Sequence, residues 1–272
     1  MRAFLVYADD SPAMEVRLQS ALDLARAREG HVQLHINTPM QRFVTLDPFG
    51  GAFLVGEALQ QAQSQEDALV EKLSAQLGDE DVPWGIESSN AEPVDALISA
   101  ARLADCIIVS MGEPGKVNSG PDVGALAVGA RCPVLALPRG GLRLGGAMMV
   151  AWDGSHEAAN ALRAATPLLA LASSVTLVTI AEKAKGTAFP ATDALSYLSR
   201  YGIHANLLEK ERTQLTIEEL LELTADQLGA DLIILGAFGH SRFRETLFGG
   251  VTRFFIDAAR YPLLLVHSGR RL

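Results

Sequence analysis

Cysteine is scarce in this chain: two in 272 residues, Cys106 and Cys132. Each lies in an apolar, strand-like context, which excludes a disulfide framework or a thiolate metal cluster and predicts two buried, reduced thiols. Basic residues are outnumbered, 23 Lys and Arg against 32 Asp and Glu, for a formal charge of −9. A surplus of that sign repels polyanions, so neither nucleic acid nor an anionic membrane is an expected partner, and any phosphate site must be local. Long apolar runs are missing as well. None reaches the roughly 18 residues of a membrane span, and the start, Met1 to Asp10, turns acidic after a short apolar run, so no secretory signal is expected and the expected location is cytoplasmic. Neither a Walker loop nor a G-x-G-x-x-G fingerprint occurs. No Ser-His-Asp or Cys-His arrangement can be placed, so no catalytic residue is assigned. His31 and His35 bracket an apolar stretch without a cysteine or third histidine nearby, and are read as structural, with no metal.

What is present is a repeat. Phe4-Leu-Val-Tyr-Ala-Asp9-Asp10-Ser11 overlays Met149-Val-Ala-Trp152-Asp153-Gly154-Ser155, in each case an apolar run ending in Asp-x-Ser. Ala104-Asp105-Cys-Ile-Ile-Val-Ser then matches Ala230-Asp231-Leu-Ile-Ile-Leu-Gly, and Ala130-Arg131-Cys132-Pro133 matches Ala259-Arg260-Tyr261-Pro262, in the same order. Three landmarks in sequence indicate one unit written twice. Between the copies, Pro138 to Gly146 is a glycine-dense connector, which places the domains at 1–138 and 147–272. At 49% apolar residues the chain can fill two cores of ordinary size.

Short apolar runs alternate with helical patterns throughout, the mark of parallel strands covered by helices. Strands are expected near 3–8, 31–36, 82–87, 105–110 and 133–137, and again near 147–152, 174–180, 203–208, 231–236 and 262–267. Ser11 followed by Pro12 reads as an N-cap and first helical residue, with Met14, Leu18, Ala21, Leu22 and Ala25 as the buried stripe; Ala158, Ala161, Leu162, Ala165 and Leu169 repeat it. The fold class is therefore α/β: two tandem, doubly wound, five-stranded parallel sheets of Rossmann-like type, whose ligands sit at the carboxyl ends of strands near the switch point.

The stretch from Gly236 to Thr252 joins one such strand end to the next helix with the spacing G-x2-G-x9-G followed by Gly-Val-Thr. Glycines at a strand exit let main-chain N–H groups approach an anion, and a glycine pair at a helix start adds unpaired donors and the positive end of the dipole. In that form, and in Val150-Ala-Trp-Asp153-Gly-Ser, the chain resembles the universal stress protein family over essentially its whole length, as a tandem pair. The resemblance implies a five-stranded α/β unit that dimerises and, in the second half, a site for ATP or a related adenine nucleotide, with or without Mg²⁺. It sets Asp153 at the adenine end and Ile180 or Ala181 where backbone groups after the second strand meet the base. Gly236, Gly239, His240 and Ser241 fall beside the ribose and phosphates, and Gly249, Gly250, Val251 and Thr252 complete the cradle. Gly250 departs from the family's usual Ser or Thr, removing one hydroxyl donor while keeping the backbone N–H and leaving Thr252 to donate. From the residues alone, Asp153 either contacts the base or caps the following helix, and Arg242 and Arg244 either reach phosphate or are solvated.

The corresponding first-half loop, Gly112 to Ala125, puts Glu113 and Asp122 where phosphate charge would lie and loses donors at Pro114 and Pro121. One nucleotide per chain is expected, in the second half, with the first half acting as a built-in dimer partner and further homodimerisation open. The aromatic segment Thr38 to Leu54 has no counterpart in the second half and either folds over its own cleft or offers a surface to an unknown protein partner. The reading is a stress-response module for signalling or protection; a nucleotide-free interaction module and a slow ATP hydrolase are its rivals.

Overall fold

The computed structural model describes residues 1–39, 44–46, 52–54, 56–114, 120–180, 189–237 and 249–267. The chain divides into two compact units, Met1–Ile107 and Ile108–Leu272.

The first unit opens with β1 (Ala3–Ala8), α1 (Ala13–Arg28) and β2 (His31–Asn37). A short antiparallel hairpin follows, β3 (Val44–Leu46) and β4 (Ala52–Leu54), in the segment expected to be a long loop. Then come α2 (Gly56–Gly78), β5 (Trp84–Ser89), α3 (Pro93–Ala100), a 3-10 turn at Ala101–Leu103 and the start of β6 (Cys106–Ser110). Strands β1 and β2 pair in parallel with Phe4 opposite Val32, and β2 and β5 with Leu34 opposite Ile86. The stripe of α1 is buried on them as its spacing predicts, Met14, Leu18, Ala21, Leu22 and Ala25 each at 5% exposure or less. One local expectation fails. The helix begins at Ala13 with Pro12 as its cap and no side-chain cap bond, because the Ser11 hydroxyl donates instead to Asp9 Oδ1 at 2.7 Å.

The second unit holds the rest of β6, then α4 (Val123–Gly129), β7 (Val134–Leu137), β8 (Ala147–Ala151), α5 (His156–Leu169) and β9 (Ser174–Ile180). It continues through α6 (Ala191–Ser199), β10 (Ala205–Lys210), α7 (Ile217–Leu228), β11 (Ala230–Gly236), α8 (Gly250–Ala258) and β12 (Leu263–Val266). Its strands run β10-β9-β8-β11-β12-β7, parallel from β10 to β12 and antiparallel between β12 and β7, with Leu264 opposite Leu135. This is the expected α/β class with its doubly wound order. All ten long strands stand within two residues of the positions their apolar runs predict. The compact units part earlier than the connector at Gly140–Gly146 suggests, because α4 and β7 pack with the second half: β7 on the edge of β12 and α4 against α8.

The landmarks of the repeat do the same work in each copy. Asp105 accepts a hydrogen bond from the backbone N–H of Ala3 at 3.1 Å, and Asp231 from that of Ala147 at 2.9 Å, so each Ala-Asp pair ties the start of one strand to the start of the first. Helix α7 carries its own start signal, a capping box in which Thr216 and Glu219 bond reciprocally to each other's backbone N–H, and its own stop, Gly229 in the left-handed region. Cys106 is fully buried in β6 and Cys132 half-buried before β7, neither of them in a disulfide. Among the described residues no helix is long and apolar enough to cross a membrane.

Candidate functional site

In the second unit the chain starts at β8, winds to β9 and β10 on one side, and returns to place β11 and β12 on the other. The crevice between β8 and β11 is therefore the switch point, where the loops leaving two neighbouring strands diverge and open space for a ligand. Three of the expected residues meet there. Val150 lies opposite Ile234 and Ala151 opposite Val178, so Asp153, Ile180 and Gly236 stand at the carboxyl ends of three adjacent strands, β8, β9 and β11. Gly249, Gly250, Val251 and Thr252 form the start of α8, which leads from β11 to β12. Ala181, Gly239, His240 and Ser241, with Arg242 and Arg244, lie outside the described residues.

Asp153 is exposed, and its carboxylate accepts the backbone N–H of Ser155 at 2.9 Å. Capping of α5 falls to Ser155, whose hydroxyl accepts the N–H of Ala158 at 3.1 Å. The helix thus does not need Asp153, and among the described residues no cation pairs with it. The first copy differs. Asp9 takes the Ser11 N–H at 3.2 Å and a guanidinium N–H of Arg17 at 2.6 Å, and Arg17, at 2% side-chain exposure, also lies over the Tyr7 ring at 5.3 Å. Burial pulls the Arg17 pKa down while Asp9 pulls it back up. Counting from each aspartate, the position of Arg17 is Ala161 in the second copy. The aspartate of the first copy is thus engaged by its own helix, while that of the second is exposed and holds only the Ser155 N–H among the described residues.

The two helix starts differ in the same sense. In α4 the N-cap is Asp122, whose carboxylate accepts the N–H of Ala125 at 2.7 Å. A negative side chain already holds the donors that a phosphate would need. Glu113 in the same loop is ion-paired with Arg139. In α8 the N-cap is Gly249, which has no side chain, and no side-chain cap bond is made. Among the described residues, then, no side chain caps the first N–H groups of α8 or the positive end of its dipole.

The glycines of the second site divide by what surrounds them. A Cβ built on Gly236 would lie 2.7 Å from the backbone of Glu157 and Ala158, so the first turn of α5 packs directly on the end of β11. Gly236 is thereby required by helix packing, whatever anion the loop receives. A Cβ on Gly250 would meet only Glu218 Oε1, at 2.6 Å, the tip of a side chain that can swing away. Glu218 thus sets a carboxylate beside the start of α8, and its charge opposes any anion there. Thr252 is 3% exposed, so its hydroxyl faces the packing of α8 and is no surface donor.

Sequence reading missed a clasp at this end of the sheet. The indole N–H of Trp152 donates to the carbonyl of Phe189 at 3.1 Å, and the N–H of Phe189 donates to the carbonyl of Gly154 at 2.9 Å. Phe189 also meets the His156 ring edge-on, centroids 5.4 Å apart. Its one advance signal was an aromatic residue in front of Pro190, in a segment otherwise read as a short loop.

The second unit is thus a doubly wound α/β sheet with Asp153 and the start of α8 near its switch point. Residues 146–267 match the Universal stress protein family. The whole chain is similar in fold to a universal stress protein from Archaeoglobus fulgidus DSM 4304, with 15% identity over 98% of each chain and a TM-score of 0.76. It is also similar to a functionally unknown protein from Pseudomonas aeruginosa PAO1, with 16% identity, 98% of this chain and 92% of that one covered, and a TM-score of 0.65. A universal stress protein solved in complex with cAMP aligns with 47% of this chain and all of its own, at 22% identity and a TM-score of 0.34. No curated protein matches the chain.

Proposed function

We propose that the second half binds ATP or a related adenine nucleotide, its base end at Asp153 and Ile180 and its phosphates at the start of α8, and that the first half binds none. The observation that carries this reading is the contrast between the copies: Asp122 caps the first site's helix and Arg17 pairs with its aspartate, whereas among the described residues no side chain caps α8 and no cation pairs with Asp153. Mg²⁺ would arrive with the nucleotide and offset phosphate charge beside Glu218. The role is that of a signalling or protective module in a stress response, with ligand occupancy as the signal.

The test is direct. Protein purified from cells and acid-extracted should release an adenine nucleotide, and ligand-free protein should bind one per chain by calorimetry. At about 100 times the dissociation constant, binding adds about 2.7 kcal/mol of stability, read as a higher melting temperature. An unchanged melting temperature at millimolar ATP with Mg²⁺ overturns the reading, and ADP appearing over time measures any hydrolysis.

A further inference from the structure

Phe189 is the unusual aromatic of the second unit. At 45% exposure it is far from buried, yet its backbone is held at both ends, N–H to Gly154 and C=O to the indole of Trp152, on either side of Asp153 in sequence. An apolar ring left in water gains nothing for the fold, and a ring whose backbone is pinned by two hydrogen bonds has already lost most of the freedom that binding would otherwise remove. His156, exposed at the first position of α5, sets its ring edge-on to Phe189 at 75° and 5.4 Å, which fixes the phenyl plane further. The result is a rigid flat face beside the residue placed at the base end of the site. Ligands with flat, polarisable, apolar faces suit such a surface.

We propose that Phe189, braced by His156, is the stacking face for a purine base, and that it supplies much of the site's preference for a base over bare polyphosphate. This rests on the nucleotide reading above and adds to it the residue that recognises the base. The fold does not depend on the ring, since the clasp uses only the main chain of Phe189. Its truncation therefore acts on the ligand.

The test compares ATP with inorganic tripolyphosphate, which has phosphates and no base, by calorimetry on the full chain. Phe189→Ala and Phe189→Leu should each weaken ATP at least tenfold and leave tripolyphosphate within about twofold, while Phe189→Tyr keeps wild-type affinity for both. Trp152 fluorescence should change on adding ATP and not on adding tripolyphosphate. The melting temperatures of the ligand-free variants should match wild type, which separates lost stacking from lost folding. Wild type binding ATP with Phe189→Leu binding it equally well overturns the stacking face while sparing the nucleotide site. Wild type that binds tripolyphosphate and ATP alike overturns base recognition, and wild type that binds neither removes both proposals.

Discussion

A single buried ion pair separates the two copies most sharply. Arg17, at 2% side-chain exposure, sits on a buried helix face otherwise made of Met, Leu, Ala and Ser20, and Asp9 is the carboxylate that makes its burial tolerable. Removing one partner of such a pair strands a charge, so Asp9→Ala should lower unfolding stability by about 3–5 kcal/mol and leave ATP binding nearly unchanged. Asp153→Ala should do the reverse: loss of one exposed turn bond, about 0.5–1 kcal/mol, with clearly weaker ATP binding. Urea unfolding and calorimetry on both variants check the pair of outcomes. Two equal sites in wild type would contradict the asymmetry. His35 gives a pH dependence of definite sign. It is 4% exposed, its Nε2 lies 3.1 Å from Ser89 Oγ, and its Nδ1 has no partner. Burial lowers its pKa, with Glu87 opposing more weakly. The folded state then resists a proton that the unfolded chain accepts near pH 6.5, so the contribution is whole above that pH and drains away as pH falls below it, until the folded state protonates too. Unfolding stability should drop between pH 7.5 and 5.5, and His35→Gln should flatten part of that drop.

Elements show which features a local pattern can carry. The central strands β1, β6, β8 and β11 stand where apolar runs placed them, since a strand covered on both faces has no polar alternation to confuse it. The stripes of α1 and α5 follow from 3.6-residue spacing alone. Features set by distant partners were not legible. Ser11 reads as a cap, yet its hydroxyl donates to Asp9, and nothing in the local pattern marks Arg17 for burial. The clasp joins Phe189 to residues 35 or more positions earlier. Of the expected site residues, Asp153, Ile180 and Gly236 stand at neighbouring strand ends and Gly249 to Thr252 at the start of α8, because motif and element end coincide. Their division of labour was not legible, because a sequence does not say what approaches a glycine. Gly236 illustrates this. With α5 backbone 2.7 Å from the missing Cβ, Gly236→Ala must push the helix start away from β11, at about 1–3 kcal/mol. The melting temperature of the ligand-free variant should fall, whereas a glycine needed only for phosphate would leave it unchanged.

For the chain as a whole, the question is what holds the two copies of the repeat as one molecule. A glycine-dense connector suggests separable beads, yet β7 and α4 precede it and pack in the second unit. The reason lies in the edge. Each copy ends in an apolar strand after an Arg-x-Pro turn, and a final strand of that kind exposes a row of unpaired N–H and C=O groups together with fully apolar side chains. Val134 to Ala136 opposite Leu265 to Leu263 closes both edges at once, and every residue of β7 and β12 is buried. Four buried apolar side chains on β7 are worth several kcal/mol, since each large one contributes about 1.5–3 kcal/mol. With the contact of α4 with α8, this burial favours keeping the pair together over leaving two apolar edges open. A protease site engineered between Gly140 and Gly146 should therefore yield two fragments that still elute together on size exclusion in native buffer and part only in denaturant. The same fragments expressed separately, each with an open edge, should self-associate or aggregate. Two well-behaved monomers after cleavage would mean that the β7–β12 ladder is incidental and that the connector alone joins the copies.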